Sequence, residues 1–340
     1  MYQAVLNHYP AEFQAISCRL LQSDAGYSGA AIFQIETAAG LYCLRGWPQK
    51  SLPAKRILGL HRLLKHIYNQ GVNQVAVPVQ SKAGTTLVTE NSQLWQLEPW
   101  MPGEADYWDQ PNNNRLINAM SALAGWHKAA ESFEANLEER DWFSISTAAI
   151  SPAVTERLQR IQTWNAGKLD VLKSQISQSK PDIWTELGAQ IVGHYQLACP
   201  NIGEELQAFH HRKLRLQPCL RDVWHDHVLF TGDEVTGIID ASACRTENVA
   251  TDLSRLIGSL VGDNRAGWQT ALQTYQQKQP LTADELQLVQ LFDRSATLLS
   301  GLTWLDRYFL QGVSIPQPER VLQRLRQILS RLRVLVDGSG

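Results

Sequence analysis

The chain is short of several things, and each shortage narrows what it can do. No run of apolar residues reaches the length of about 18 that a membrane-crossing helix needs. The first residues, Met1 to His8, lack the basic segment and apolar core of a signal peptide. We therefore expect no membrane span and a cytoplasmic protein. Cysteine is sparse: Cys18, Cys43, Cys199, Cys219 and Cys244 are odd in number and never spaced as Cys-x-x-Cys, so neither a disulfide framework nor a zinc site is expected. The net charge of −2 gives no global field for nucleic acid. Repeats and low-complexity segments are missing too. The sharpest shortage is local. Between Thr37 and Thr89 there is no Asp or Glu, while Arg45, Lys50, Lys55, Arg56, Arg62, Lys65 and Lys82 all fall there. Such a window suits a polyanionic ligand, or a solvated basic face.

With 340 residues, 44% of them hydrophobic, the chain is long enough for two lobes. A short helix is expected at 10–15 and a strand over 15–22. Gly26-Tyr-Ser-Gly29 then leads into strands over 30–37 and 41–45, turned at Gly40. Strand, glycine turn, strand is how backbone N–H groups can close over phosphates, because glycine permits close approach and positive φ. A helix over 54–70 carries Ile57, Leu58, Leu60, Leu63, Leu64 and Ile67 on its buried side and stops at Gly71. Apolar stretches at 74–80, 85–89 and 94–98 complete a sheet of about five antiparallel strands, a small α+β lobe. Leu97 to Gly103, with two prolines and a glycine, reads as a hinge. Beyond it the pattern is helical: 114–133, 152–176, 183–197, 204–211, 252–261, 267–276, 282–308 with a break, and 318–336. The last of these is amphipathic and basic, and docking on the helical lobe fits it better than a membrane surface. Asp252 reads as the N-cap of the helix that follows it.

The stretch from Leu220 to Leu256 carries the chemistry. Val228 to Phe230 and Val235 to Ile239 flank Thr-Gly-Asp-Glu, the composition of a tight turn between antiparallel strands. Folding back there brings Asp240 toward His225 and His227, with Asp222 on the loop leading in. Carboxylates at strand ends can bind a hard divalent cation and accept a proton from a hydroxyl, which is what phosphoryl transfer needs besides positioning.

This stretch resembles the aminoglycoside phosphotransferase and choline kinase group of protein-kinase-like phosphotransferases, whose pattern is His-Gly-Asp, an Asn five residues later, a hairpin, then Ile-Asp-Phe. The resemblance extends over about residues 15–310 and implies a bilobal α+β fold: a nucleotide-binding lobe at 1–98, a hinge at 99–103, a helical lobe at 104–336 holding a catalytic loop at 220–240, and a flexible tail. It implies Asp222 as the catalytic residue, Asp240 and His227 as metal positions, and Gly26, Ser28, Gly29, Arg45, Glu98 and Trp100 as nucleotide contacts. The implied cofactors are ATP, with GTP as the alternative, and Mg²⁺. Imidazole at 227, where the family has Asn, would suit Mn²⁺ better. Arg45 stands where the family has Lys, and the helix over 54–70 lacks the Glu that pairs with it, leaving His61, another polar group or a bound anion to take that place. His127 matches a structural histidine beneath the catalytic loop. The expected activity is transfer of a phosphoryl group to a small hydroxyl-bearing metabolite, without nucleic acid. The rival is a pseudokinase, a binding module of the same shape.

Overall fold

The computed structural model describes residues 2–21, 30–49, 51–315 and 317–337. The expected phosphate turn, with Gly26, Ser28 and Gly29, lies outside the described residues. Two compact units divide the chain: Met1–Ser146, Gln217–Thr246 and Ser259–Pro280 form the first, and Thr147–Leu216, Glu247–Gly258 and Leu281–Gly340 the second.

In the first unit, strands β1 (Ala15–Leu20), β2 (Ala31–Thr37), β3 (Gly40–Gly46), β4 (Val88–Glu90) and β5 (Gln93–Pro99) form a five-stranded antiparallel sheet in the order β1-β2-β3-β5-β4. Its register sets Arg45 opposite Ile32 and Gln96, and Cys43 opposite Gln34 and Glu98. Side chains alternate along a strand. Ile35, Leu44, Trp95 and Leu97 therefore share one face, where they pack with Val5, Leu6 and Tyr9. Cys43, Arg45, Gln96 and Glu98 share the other. Val5 and Leu6 belong to helix α1 (Tyr2–Leu6), too short for periodicity to announce. The helix expected at 10–15 is a single 3-10 turn, Ala11–Phe13.

Helix α2 (Ala54–Asn69) buries Ile57, Leu60, His61, Leu64 and Ile67, a stripe at three- and four-residue spacing, and Leu63 beside it. Leu58, expected inward, falls off that stripe and is exposed. Residues 74–80 are not a strand of the sheet. Val75 makes one parallel bridge to Ile238, and the Val79 N–H goes to the Leu97 carbonyl at 2.7 Å, so alternating valines around Pro78 run as an irregular connection. After β5, the Trp100 N–H bonds the Leu41 carbonyl at 3.0 Å, and Glu104 and Phe230 exchange backbone hydrogen bonds of 2.9 Å each way. Between them Gly103, at φ +97°, lies so close that a Cβ would stand 2.4 Å from Thr236 Oγ1.

Helix α3 (Asn113–Ala130) is capped by Asn112, whose Oδ1 accepts the Arg115 N–H at 2.9 Å. Arg115 is itself buried. Its Nε donates to the Gly232 carbonyl at 2.9 Å and its Nη2 pairs with Asp106 at 2.9 Å, so α3 holds the tip of the expected hairpin. That hairpin pairs Val228–Thr231 with Glu234–Ile238 around Gly232 at φ +61°.

The second unit is mainly helical. The expected helix 152–176 is interrupted: Pro152–Thr163 and Leu169–Gln178 are joined by a π-type turn in which Gly167 has φ +110°. The helices expected at 183–197 and 204–211 are one, Ile183–His210. It starts at a reciprocal Asp182–Thr185 capping box and runs through Pro200, with Cys199, Ile202 and Leu206 buried around the missing N–H. Helix Ala250–Val261 begins earlier than expected, with Asn248 Oδ1 accepting the Ala250 N–H at 2.9 Å, so Asp252 lies inside its first turn and is not its cap. The last helix, Pro318–Asp337, buries Val321, Leu322, Leu325, Ile328, Leu329 and Leu332 and packs on Ile183–His210 and Ala283–Leu305. Among the described residues no helix is long and apolar enough to cross a membrane.

Candidate active site

Every residue of the candidate site that is described lies in the first unit. The loop entering the hairpin turns at Arg221, φ +65°, passes Asp222, and makes a 3-10 turn, His225–His227. His227 ties its ends together. Its Nδ1 lies 2.7 Å from the Asp222 carbonyl, its Nε2 accepts the Trp224 indole N–H at 2.9 Å, and its own carbonyl accepts the Ile239 N–H at 2.9 Å. Asp222 and the residue before Asp240 are thus fastened to one amino acid. Asp240 follows in the left-handed region, φ 57° and ψ 59°, which Asp tolerates better than most residues.

Asp240 Oδ1 lies 3.3 Å from Arg45 Nη1, and Arg45 Nε lies 3.6 Å from Glu98 Oε1. Burial opposes the charge on Arg45, but Glu98 and Asp240 outweigh it and raise its pKa. Burial also raises the Glu98 carboxyl, against the pull of Arg45 and of the Gln96 amide, which donates at 2.6 Å. For Asp240, burial acts upward too, yet Arg45 and the Ser242 hydroxyl hold the carboxyl below its ordinary range. An ionised carboxylate, a permanent cation and a second acid therefore stand in one row. Cys43, on the same face, is inert as a nucleophile: burial, with Glu98 nearby, pushes its thiol up to about 12.

Arg45 takes its acidic neighbour from the sheet. Glu98 reaches Arg45 diagonally across the β3–β5 pair, a contact visible only once the register is known. His61 does not take that place. Its Nε2 meets Gln96 Oε1 at 2.9 Å and its Nδ1 meets Thr86 Oγ1 at 2.7 Å, and burial lowers its pKa to about 4. Gln96 Oε1 also accepts the Trp47 indole at 2.8 Å, so Trp47 is part of this support. The ring of His225 is engaged within its own loop and by Trp108. It stacks on Trp108 at 4.0 Å and 14°, and its Nε2 faces Asp226 at 3.1 Å. Trp100 is half-buried at the end of β5. His127 is fully buried, with Nδ1 2.8 Å from the Tyr275 hydroxyl and its carbonyl accepting from Gln217, a structural position as expected.

The sequence model of the phosphotransferase enzyme family matches residues 20–287. No curated protein sequence matches the chain. Among solved structures, the chain is similar to a spectinomycin phosphotransferase in complex with ADP and spectinomycin (TM-score 0.67, 9% identity, covering 98% of this chain and 97% of that one). It is similar to an amicoumacin kinase in complex with AMP-PNP, Ca²⁺ and its ligand (TM-score 0.65, 14% identity, 97% and 92%). A microcompartment-associated aminopropanol kinase gives a TM-score of 0.62 at 15% identity, with 98% and 94% covered. At these identities the likeness is one of fold, the protein-kinase-like phosphotransferase fold.

Proposed function

The chain belongs to the phosphotransferase enzyme family, and from that premise we propose that it transfers the γ-phosphoryl group of ATP to a hydroxyl of a small molecule. The observation that carries the reading is the shared fastening of Asp222 and Asp240 to His227, with Arg45 paired to Asp240. Nucleotides in two of the similar structures fit this assignment. Asp222 accepts the proton of the acceptor hydroxyl. As the acceptor oxygen bonds to the γ-phosphorus, the bond to the β,γ-bridging oxygen breaks and ADP leaves. Arg45 grips the nucleotide phosphates, and its guanidinium can hold them bidentately without losing its charge. Glu98 is the counter-charge that keeps Arg45 aimed, and Trp100 borders the adenine.

Asp240 would hold Mg²⁺. The donor set fits: its carboxyl is held ionised, and oxygen is the ligand that Mg²⁺ prefers. When bound, the ion would neutralise charge on the β- and γ-phosphates. The protein's own contribution is positioning and fixed charge.

An acceptor screen tests the reading. ADP release would be followed with a panel of amino alcohols, aminocyclitols and sugars, for the wild type and for Asp222→Asn. Acceptor-dependent ADP release that Asp222→Asn removes is the expected result. Nucleotide binding without transfer to any acceptor would favour the kinase-shaped binding module, a reading that Arg45 in place of lysine supports.

A further inference from the structure

The two ring nitrogens of His227 make hydrogen bonds of opposite sense. The partner of Nδ1 is the Asp222 carbonyl, which can only accept, so Nδ1 carries a hydrogen. The partner of Nε2 is the Trp224 indole N–H, which can only donate, so Nε2 is bare. These contacts match the Nδ1–H form of the ring. Each lone pair or hydrogen is already used. A cation on Nε2 would have to displace the indole, and one on Nδ1 would release the Asp222 carbonyl.

We propose that His227 is a positioning residue, locked as the Nδ1–H tautomer by Trp224, which fixes the backbone of Asp222 and supplies no nitrogen to a metal ion. The local fold supports this. Trp224 leads into the 3-10 turn that carries His227, and the His227 N–H bonds the Trp224 carbonyl at 2.8 Å, so indole and imidazole are held together by backbone as well as by side chain. On its other side the His227 carbonyl takes the Ile239 N–H. Residue 227 thereby sets the spacing between the loop of Asp222 and the strand end of Asp240 with main chain and ring at once. The two histidines of His225-Asp-His227 have separate duties, since the His225 ring stacks on Trp108. Any metal ion at this site is then bound through oxygen alone, with Asp240 as the protein ligand, which makes Mg²⁺ its natural occupant and removes the reason to expect Mn²⁺.

The consequence for catalysis rests on the phosphotransferase reading; the tautomer does not, so the two can fail separately. Protein carrying ¹⁵N-histidine would be examined by long-range ¹H–¹⁵N correlation at neutral pH, with His227 assigned from the pattern missing in His227→Gln. The expected result is an Nδ1–H pattern that survives addition of MgCl₂ and ATP and collapses toward the Nε2–H form in Trp224→Phe. An Nε2–H or cationic ring in the wild type, or loss of the pattern on adding Mg²⁺ with ATP, overturns the proposal. Once an acceptor is known, Trp224→Phe should lower kcat by roughly tenfold to a hundredfold, as misplacement of a reacting group does, and leave the KM for ATP within about twofold. An unchanged kcat, or a loss confined to KM, would also overturn it. Should no acceptor be phosphorylated, the phosphotransferase reading falls while the wild-type spectrum still decides the tautomer.

Discussion

On one face of the five-stranded sheet Ile35, Leu44, Trp95 and Leu97 meet Val5, Leu6 and Tyr9, while on the other face neighbouring residues of the same strands, Arg45, Gln96 and Glu98, form a row ending at Asp240. Both faces are largely dry: Leu97 is fully buried and the Arg45 side chain is 15% exposed. The apolar face contributes stability at about 2 to 3 kcal/mol for each large side chain removed from water. Charges on the polar face cost several kcal/mol each to desolvate, and pairing seldom returns the whole of it. A row of buried charge that folding does not require points to chemistry. The comparison separates what holds this unit together from what it does, and substitutions on the two faces should divide the same way.

The largest effect belongs to the chemistry. Asp222→Asn should lower kcat by about 10²- to 10⁴-fold, the range general-base removal gives, with a melting temperature close to that of the wild type. Comparable loss of folding would merge the two classes of residue. Next comes the apolar face. Leu97→Ala should cost about 2 to 5 kcal/mol in denaturant unfolding while the surviving folded fraction still responds to ATP. A smaller, pH-dependent effect comes from His61. Burial holds its pKa near 4, against an ordinary value of 6.5. Between those values the unfolded chain takes up a proton that the folded chain refuses, so stability should fall as pH drops from about 6.5 to 4, by up to about 3 kcal/mol. His61→Gln should flatten that slope, and an unchanged slope would deny the buried neutral histidine. The smallest effect on stability is expected for the combined change Arg45→Met, Glu98→Met and Asp240→Asn, which removes the charged row as a whole. Replacing a buried pair by apolar side chains is often neutral or stabilising, yet the response to ATP should disappear. A strongly destabilised combined variant would make the polar face structural after all.

Much of this arrangement is legible in the residues. Thr-Gly-Asp-Glu between apolar runs gave the hairpin because only Gly232 needs positive φ there. The spacing from Asp222 to Asp240 pointed to the same loop. What escaped were contacts that depend on register or on neighbours distant in sequence. Glu98 becomes the partner of Arg45 only when β3 and β5 pair with Arg45 opposite Gln96. His225 looked equivalent to His227 until Trp108 took its ring. Residues 74–80 alternate like a strand, but Pro78 cannot donate to a ladder, and the segment makes an isolated bridge at Val75 in place of a ladder. Pro200 reads as a helix end, and packing around it overrides the local preference.

The most direct test of the central claim is nucleotide-dependent thermal stability, measured for the wild type and Asp240→Ala with ATP or GTP, and with Mg²⁺, Mn²⁺ or no metal. The account predicts that ATP raises the melting temperature when Mg²⁺ is present, and that Asp240→Ala abolishes the rise. No shift with any nucleotide and metal, or an equal shift in Asp240→Ala, would contradict it.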